Sequence, residues 1–267
     1  MDLAALLLAG DWSSSSFYKA VDVADAADVA AVLALAAHGD PGVRGAVALT
    51  LPLLTHGDVP TAEMVEAAVA LSADPDKRVR DYSCFALAEQ WREVDTPAVR
   101  EALAARLDDI DREARSEALV GLAYRQDPRA LPRVQAALSR PSGDVWRLEM
   151  VAAGALSDTQ LHDLVLRHQA GWDDAGTADA VRRLTDPRGP GDDVLDGVAE
   201  LYRRRAHGRP DGDALSAWQL LADMLDIAPH RAGEFFGEVL ARLDGDDAAL
   251  REVRTSSTLA QLVETGE

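Results

Sequence analysis

The sequence predicts an all-α chain of stacked helical pairs, and three observations carry that prediction. A phrase returns about every 34 residues, a period of the order typical of helical solenoids. It stands as Asp40-Pro41-Gly42-Val43-Arg44, as Asp74-Pro75-Asp76-Lys77-Arg78-Val79-Arg80, and in blurred form from Asp108 to Arg115. The composition agrees: 48 % of residues are apolar but only 5 % aromatic, so the core is made of Ala, Leu and Val. Ala is the strongest helix former, and small side chains suit closely packed helices. Finally, no convincing run alternates apolar and polar residues as a half-buried strand would.

The elements follow in order. Met1–Gly10 is apolar, but Asp2 stands where a signal peptide has basic residues and Asp11-Trp12 stands where cleavage would fall, so it reads as a first amphipathic helix. Gly10–Ser16 reads as a loop. A helix over about 26–37 carries Val29, Leu33 and Ala36 on one face and stops at His38-Gly39-Asp40-Pro41. Its mate carries Val43, Val47 and Leu51, with Pro52 at its end. Thr61 caps the next helix, with Val65, Ala68, Val69 and Leu71 inward, and its mate carries Val79, Ser83, Ala86 and Leu87. Thr96-Pro97 opens the third pair, whose second helix repeats the small-residue pattern as Ala114, Ala118, Gly121 and Leu122. The fourth pair, from Asp127-Pro128, is degenerate. A short helix follows Asp158, and beyond Gly171 the period fails. Asp186-Pro187-Arg188-Gly189-Pro190-Gly191 is the strongest breaker in the chain. Amphipathic helices are expected after it, near 192–206, 213–227, 230–243 and 246–264. The organisation predicted is a repeat array over 1–185 and a helical C-terminal cap over 186–267, continuous with the array, because a solenoid needs an atypical end to shield its last apolar face.

The formal net charge is −19. Such a surface repels a phosphate backbone, whose binding depends on Lys and Arg, and it disfavours anionic membranes. Neither nucleic acid nor membrane is therefore an expected partner. The acidity reads first as a solubility device and second as complementarity to a basic partner. No apolar stretch reaches the roughly 18 residues of a membrane-spanning helix. The lone cysteine, Cys84, cannot form an intramolecular disulfide, which suits a reducing compartment and a cytoplasmic location.

The pattern Asp-Pro-Asp-x-x-Val-Arg-x-x-small-x-x-Ala-Leu, best seen over 74–87 and well over 40–51 and 108–122, resembles the second helix of a HEAT repeat. The resemblance covers roughly residues 25–160 and extends to bacterial HEAT-repeat proteins related to phycobilin-lyase repeats. It implies a right-handed α-solenoid of HEAT-like pairs, with second helices lining a concave face and turn Asp and helix Arg residues forming a ladder. Proteins of this kind include scaffolds, inhibitor and immunity partners, and pigment-attaching lyases.

No constellation of catalytic residues emerges. Asp40 with Arg44, Asp74 with Arg80, and Asp108 with Arg115 read as helix caps and cross-repeat pairs. Asp108, Asp109, Asp111 and Glu113 lack the glycine and distal glutamate of a calcium loop. Asp22, Asp25 and Asp28 fall three apart, on one helix face. The six histidines include no His-Glu-x-x-His, and His162 and His168 are too far apart for one-turn metal spacing, so no metal or other cofactor is expected. Cys84 reads as a small buried hydrophobe. Arg203-Arg204-Arg205 suits a helix C-terminus. Aromatic and charged residues on the second helices are the candidate contacts for a partner: Asp81, Tyr82, Phe85, Trp91, Arg92, Trp146 and Arg147. Tyr82 and Phe85 serve equally well as filling between repeats. The leading reading is a non-catalytic scaffold that binds another protein. A HEAT-like lyase comes second and a DNA-repair or other nucleic-acid binder last.

Overall fold

The structure, a computed structural model, describes residues 2–255 apart from 58, 142, 170, 171 and 173. Sixteen α-helices and no strand occur among the described residues, and successive helices pack as pairs. Two compact units divide the chain, Met1–Arg133 and Val134–Glu267. The loop at 186–191 lies inside the second unit.

In the first unit the helices are α1 (Leu3–Leu8), α2 (Ser15–Asp22), α3 (Ala26–Ala34), α4 (Pro41–Leu53), α5 (Ala62–Leu71), α6 (Lys77–Phe85), α7 (Pro97–Ala104) and α8 (Arg112–Tyr124), and α9 (Ala130–Leu138) begins at its end. Most starts are written in the sequence. Asp40 caps α4 by accepting from the Gly42 N–H, Thr61 caps α5 and Thr96 caps α7, with Pro41 and Pro97 in the first turns of α4 and α7. Two local expectations are corrected. The stretch 10–16 is not all loop: Ser14 accepts from the Phe17 N–H and starts α2. Asp22, Asp25 and Asp28 do not form a stripe on one helix, because α2 ends at Asp22 and Asp25 caps α3. Asp25 and Asp28 instead make a reciprocal capping box, each carboxylate serving the other's backbone N–H.

The second helices α4, α6 and α8 lie side by side, as do the first helices α3, α5 and α7. Between the rows sit Val47, Leu51, Ala68, Val79, Leu87, Val99, Leu103 and Leu122, all without solvent exposure. Burial of each larger side chain contributes about 1.5–3 kcal/mol. The recurrent small residues have a steric reason. A Cβ on Gly121 would stand 2.7 Å from Ala88 Cβ and 2.9 Å from Ala88 Cα, so α8 approaches its neighbour as only glycine permits.

The turns before α6 and α8 each carry two aspartates with different duties. Asp76 and Asp111 cap α6 and α8. Asp74 and Asp109, two residues earlier, hold the turn by accepting from the Asp76 and Asp111 N–H groups at 2.8 and 2.9 Å. They also receive an arginine from the preceding repeat. Arg44 donates to Asp74 at 2.6 and 2.8 Å, and Arg80 donates to Asp109 at 2.7 Å through two nitrogens. The remaining nitrogen of each arginine ties to the carbonyls of its own turn: His38 and Gly39 for Arg44, Asp74 and Pro75 for Arg80. Pairing across repeats is therefore as expected, but Asp108 is not on the ladder; it pairs with Arg133 at 2.6 Å. In the first turn His38 holds the position of Asp74 and Asp109, accepting through Nδ1 from the Asp40 N–H. No earlier arginine exists for it to receive, since Arg44 is the first in the sequence.

After Phe85 the backbone widens into a π turn over Ala86–Gln90. Its end is held by Arg125, only 5 % exposed, which donates to the carbonyls of Leu87, Trp91 and Val94 as well as Gly121.

The second unit holds α10 (Arg147–Leu156), α11 (His162–His168), α12 (Ala175–Thr185), α13 (Asp192–Ala206), α14 (Ala214–Ile227), α15 (Ala232–Arg242) and α16 (Asp247–Thr255). The helices expected near 192–206, 213–227 and 230–243 are present. That expected over 246–264 is seen to Thr255, and 256–264 lie outside the described residues. Helix α13 is the hub, packed against α14, α15 and α16. Its inner face carries Val198, Leu201 and Tyr202, and Trp218 lies between the rings of Tyr202 and Phe236. Arg204 and Arg205, near the α13 C-terminus, pair with Glu200 and Asp211. No helix among the described residues is long and apolar enough to cross a membrane.

Candidate functional site

The row of second helices in the first unit presents α6 at its middle, and α6 decides what this face offers. Its 100° repeat sends Val79, Ser83, Ala86 and Leu87 into the core. Asp81, Tyr82 and Phe85 are left half-exposed on the other side. Tyr82 lies on α4 where Gly45 leaves room: a Cβ there would meet the ring at 3.5 Å. The other side of Tyr82 borders a cleft of about 420 Å³. The cleft is walled by Leu8, Trp12 and Pro41 and edged by Asp40, Asp76 and Arg78.

Asp81 is the electrostatic focus. Burial pushes its carboxyl up to about 6, and the nearby charges of Asp111 and Glu113 push in the same direction, with Lys77 opposing. The ammonium of Lys77 is 3.5 Å from Asp111, on a side chain 66 % exposed to water, so it offsets little. Three carboxylates thus gather beside two aromatic rings.

The predicted contact residues divide. Asp81, Tyr82 and Phe85 come together on α6. Arg92 lies just beyond the π turn with its guanidinium 5.7 Å from the centre of the Tyr124 ring. Trp91 is a correction: at 3 % exposure it belongs to the core, and no partner protein can reach its ring. Trp146 and Arg147 are in the second unit. Trp146 is half-buried at the start of α10, where its N–H donates to Glu149 Oε2 at 2.8 Å, and Arg147 is exposed. Sequence reasoning missed Trp12 and Leu8 as parts of a surface, 39 % and 52 % exposed. The available signal was their apolar character in a stretch closing the start of the array. It also missed Arg125, whose position just after a helix gives no hint that it is buried.

Cys84 is fully buried, and burial holds its thiol far above the ordinary cysteine range. Among the described residues no group of three or more His, Cys, Asp or Glu is placed to hold a metal ion. His168 is buried with Nε2 at 2.8 Å from the Leu138 carbonyl, and His162 lies by Thr185, so the two histidines answer to different neighbours.

Residues 65–156, from α5 through the end of α10, match the family described as HEAT repeats. Over that stretch the chain is built of HEAT repeats. The matched stretch includes α6 and α8 of the HEAT array, and with them Asp81, Tyr82 and Phe85. Among solved structures, the X-ray structure of YibA from E. coli is similar, with 19 % identity and a TM-score of 0.49 over 69 % of this chain and 81 % of that one. No curated protein matches the sequence.

Proposed function

We propose that this HEAT-repeat chain is a non-catalytic scaffold that binds another protein through the second-helix face of its first unit, as an inhibitor, immunity or regulatory partner does. One observation carries the reading: Tyr82 and Phe85, aromatic and half-exposed, share that face with the unpaired carboxylate of Asp81. Large rings beside concentrated charge are what binding hot spots are made of. A frame stapled by Arg44–Asp74 and Arg80–Asp109 loses little freedom on association, which favours binding. The reading places the protein in a reducing, cytoplasmic setting and gives it no cofactor.

The test is affinity purification of the tagged full chain from its source cell, with the Tyr82→Ala/Phe85→Ala double variant alongside. A protein recovered with the native chain and lost with the variant supports the reading. Equal recovery with both, at equal folded content by circular dichroism, rejects this face.

A further inference from the structure

The same face offers more than aromatic area, because a cleft with apolar walls at Leu8 and Trp12 adjoins its carboxylates. Tyr82 lines the cleft, and Asp81, its neighbour in sequence, stands on α6 where that helix packs against α8, within electrostatic reach of Asp111 and Glu113 of the next repeat. Leu8 and Trp12 leave the opposite wall exposed to water. Asp40 and Asp76 each turn one oxygen toward their own helix, 2.8 Å from the Gly42 N and 2.9 Å from the Arg78 N. Among the described residues neither has an ion-pair partner. Five carboxylates (Asp40, Asp76, Asp81, Asp111 and Glu113) therefore border this face, where Lys77 pairs with Asp111 and Arg78 lines the cleft, while Arg44 and Arg80 of the ladder act on Asp40, Asp76 and Asp111.

The arginines elsewhere behave differently. A cleft of about 590 Å³ in the second unit is lined by Arg183, Arg188 and Arg242, but each already holds a carboxylate: Asp193, Asp186 and Asp192. That cleft is neutralised from within. In the one beside Tyr82 the lining carboxylates Asp40 and Asp76 outnumber the one lining cation, Arg78, and among the described residues neither forms an ion pair with it.

Like charges held together in partly dry surroundings raise the energy of the free protein, and an incoming cation relieves it. Aromatic walls accept an apolar side chain or the stem of an arginine. Resting on the scaffold reading above, the geometry points to a partner that presents an extended basic segment. It seats an apolar side chain in the cleft between Leu8, Trp12 and Tyr82 and lays an arginine or lysine against Asp81, Asp111 and Glu113. The charge pattern then selects as well as attracts, since an acidic segment is repelled from the same place.

Fluorescein-labelled decapeptides alternating arginine with leucine, glutamate with leucine, and arginine with serine are the probes, titrated with the full-length protein and read by polarisation. The arginine–leucine peptide should bind, the glutamate–leucine peptide should not, and the arginine–serine peptide should bind at least about tenfold more weakly. Asp81→Asn/Glu113→Gln and, separately, Trp12→Ala should each weaken the arginine–leucine peptide by about tenfold or more. Asp22→Asn/Glu66→Gln removes the same charge from exposed positions outside the face and should leave binding within about twofold, as distant screened charges do. Failure of the arginine–leucine peptide to bind overturns the inference, as does equal loss in the Asp22/Glu66 control or no effect of Trp12→Ala. If the inference fails in this way while Tyr82→Ala/Phe85→Ala still loses the cellular partner, the scaffold reading stands and only the basic segment is wrong. All variants are checked for native circular dichroism, so a lost signal reports the face and not the fold.

Discussion

Arg80 grips Asp109 with two nitrogens at 2.7 Å, joining α6 to the turn of the next repeat with both side chains nearly out of solvent. The third nitrogen closes onto carbonyls of its own turn, so all three nitrogens of the guanidinium are engaged. Removal of one partner leaves a buried charge unpaired. Asp109→Ala should therefore cost about 3–5 kcal/mol in chemical denaturation. Arg80→Lys should recover only part of the native stability, because an ammonium has no fork to match the carboxylate. If Asp109→Ala were within 1 kcal/mol of native, a rough floor for a buried pair, the ladder would be decoration.

The close approach of α8 to Ala88 is equally open to test. A methyl at position 121 would press on the backbone of Ala88, which cannot step aside. Gly121→Ala should destabilise by about 1–3 kcal/mol, the overpacking term exceeding the helix-propensity gain. Gly237 on α15 has no atom within 4 Å of the same added carbon. There the gain acts alone, and Gly237→Ala should stabilise by about 0.5–1 kcal/mol. Opposite signs for the same chemical change, measured by denaturant midpoint, separate packing from propensity.

Arg125 supports a different feature. Its guanidinium is buried among carbonyls, with 2.7 and 3.0 Å bonds to Leu87 and Trp91, and burial lowers its pKa to about 10. It stays charged at neutral pH and serves as a cap for the π turn. Arg125→Met fills the space but leaves several carbonyls without donors, and should cost about 3 kcal/mol or more. Amide hydrogen exchange over 86–94 should quicken before exchange in α4 does. Uniform quickening through the unit would mean that Arg125 is not specific to this turn.

These features mark how far the sequence could be read. The recurring Asp-Pro phrase announces helix pairs because turn chemistry is local: a cap needs only the residues beside it. Ladder partners are harder. Asp108, Asp109 and Asp111 are chemically alike, and which of them meets Arg80 depends on how two repeats are offset in space. Trp91 shows the limit most clearly. At about 100° per residue it falls roughly 120° from Val79, on the helix flank. The π turn over Ala86–Gln90 holds the chain back by about one residue's rotation. That swings Trp91 onto the buried stripe. Nothing in Ala-Leu-Ala-Glu-Gln signals a π turn, so helical periodicity alone places the ring on the wrong side. Asp81, Tyr82 and Phe85 precede the turn, and their phase was legible.

The raised pKa of Asp81 gives a prediction with a definite sign. Its carboxyl titrates near 6 in the folded chain, against an ordinary value near 4. The folded state thus binds this proton more tightly than the unfolded state. The group burdens folding fully above pH 6, and the burden lifts as pH falls toward 4. Asp81→Asn should then stabilise the protein at pH 7.5, by about 1 kcal/mol once solvent screening of a half-exposed group is allowed for. The advantage should shrink at pH 5, where the native side chain is largely protonated. Asp74 and Asp109 run the other way. Their arginines hold them below the usual carboxylate range, so their contribution is present above about pH 4 and fades only below it. Comparison of the two proteins between pH 7.5 and 5 isolates Asp81 before the ladder begins to titrate. A difference that stays constant across that window would mean that neither burial nor the charges of Asp111 and Glu113 raise the Asp81 carboxyl, and it would have to be regarded as an independent surface charge.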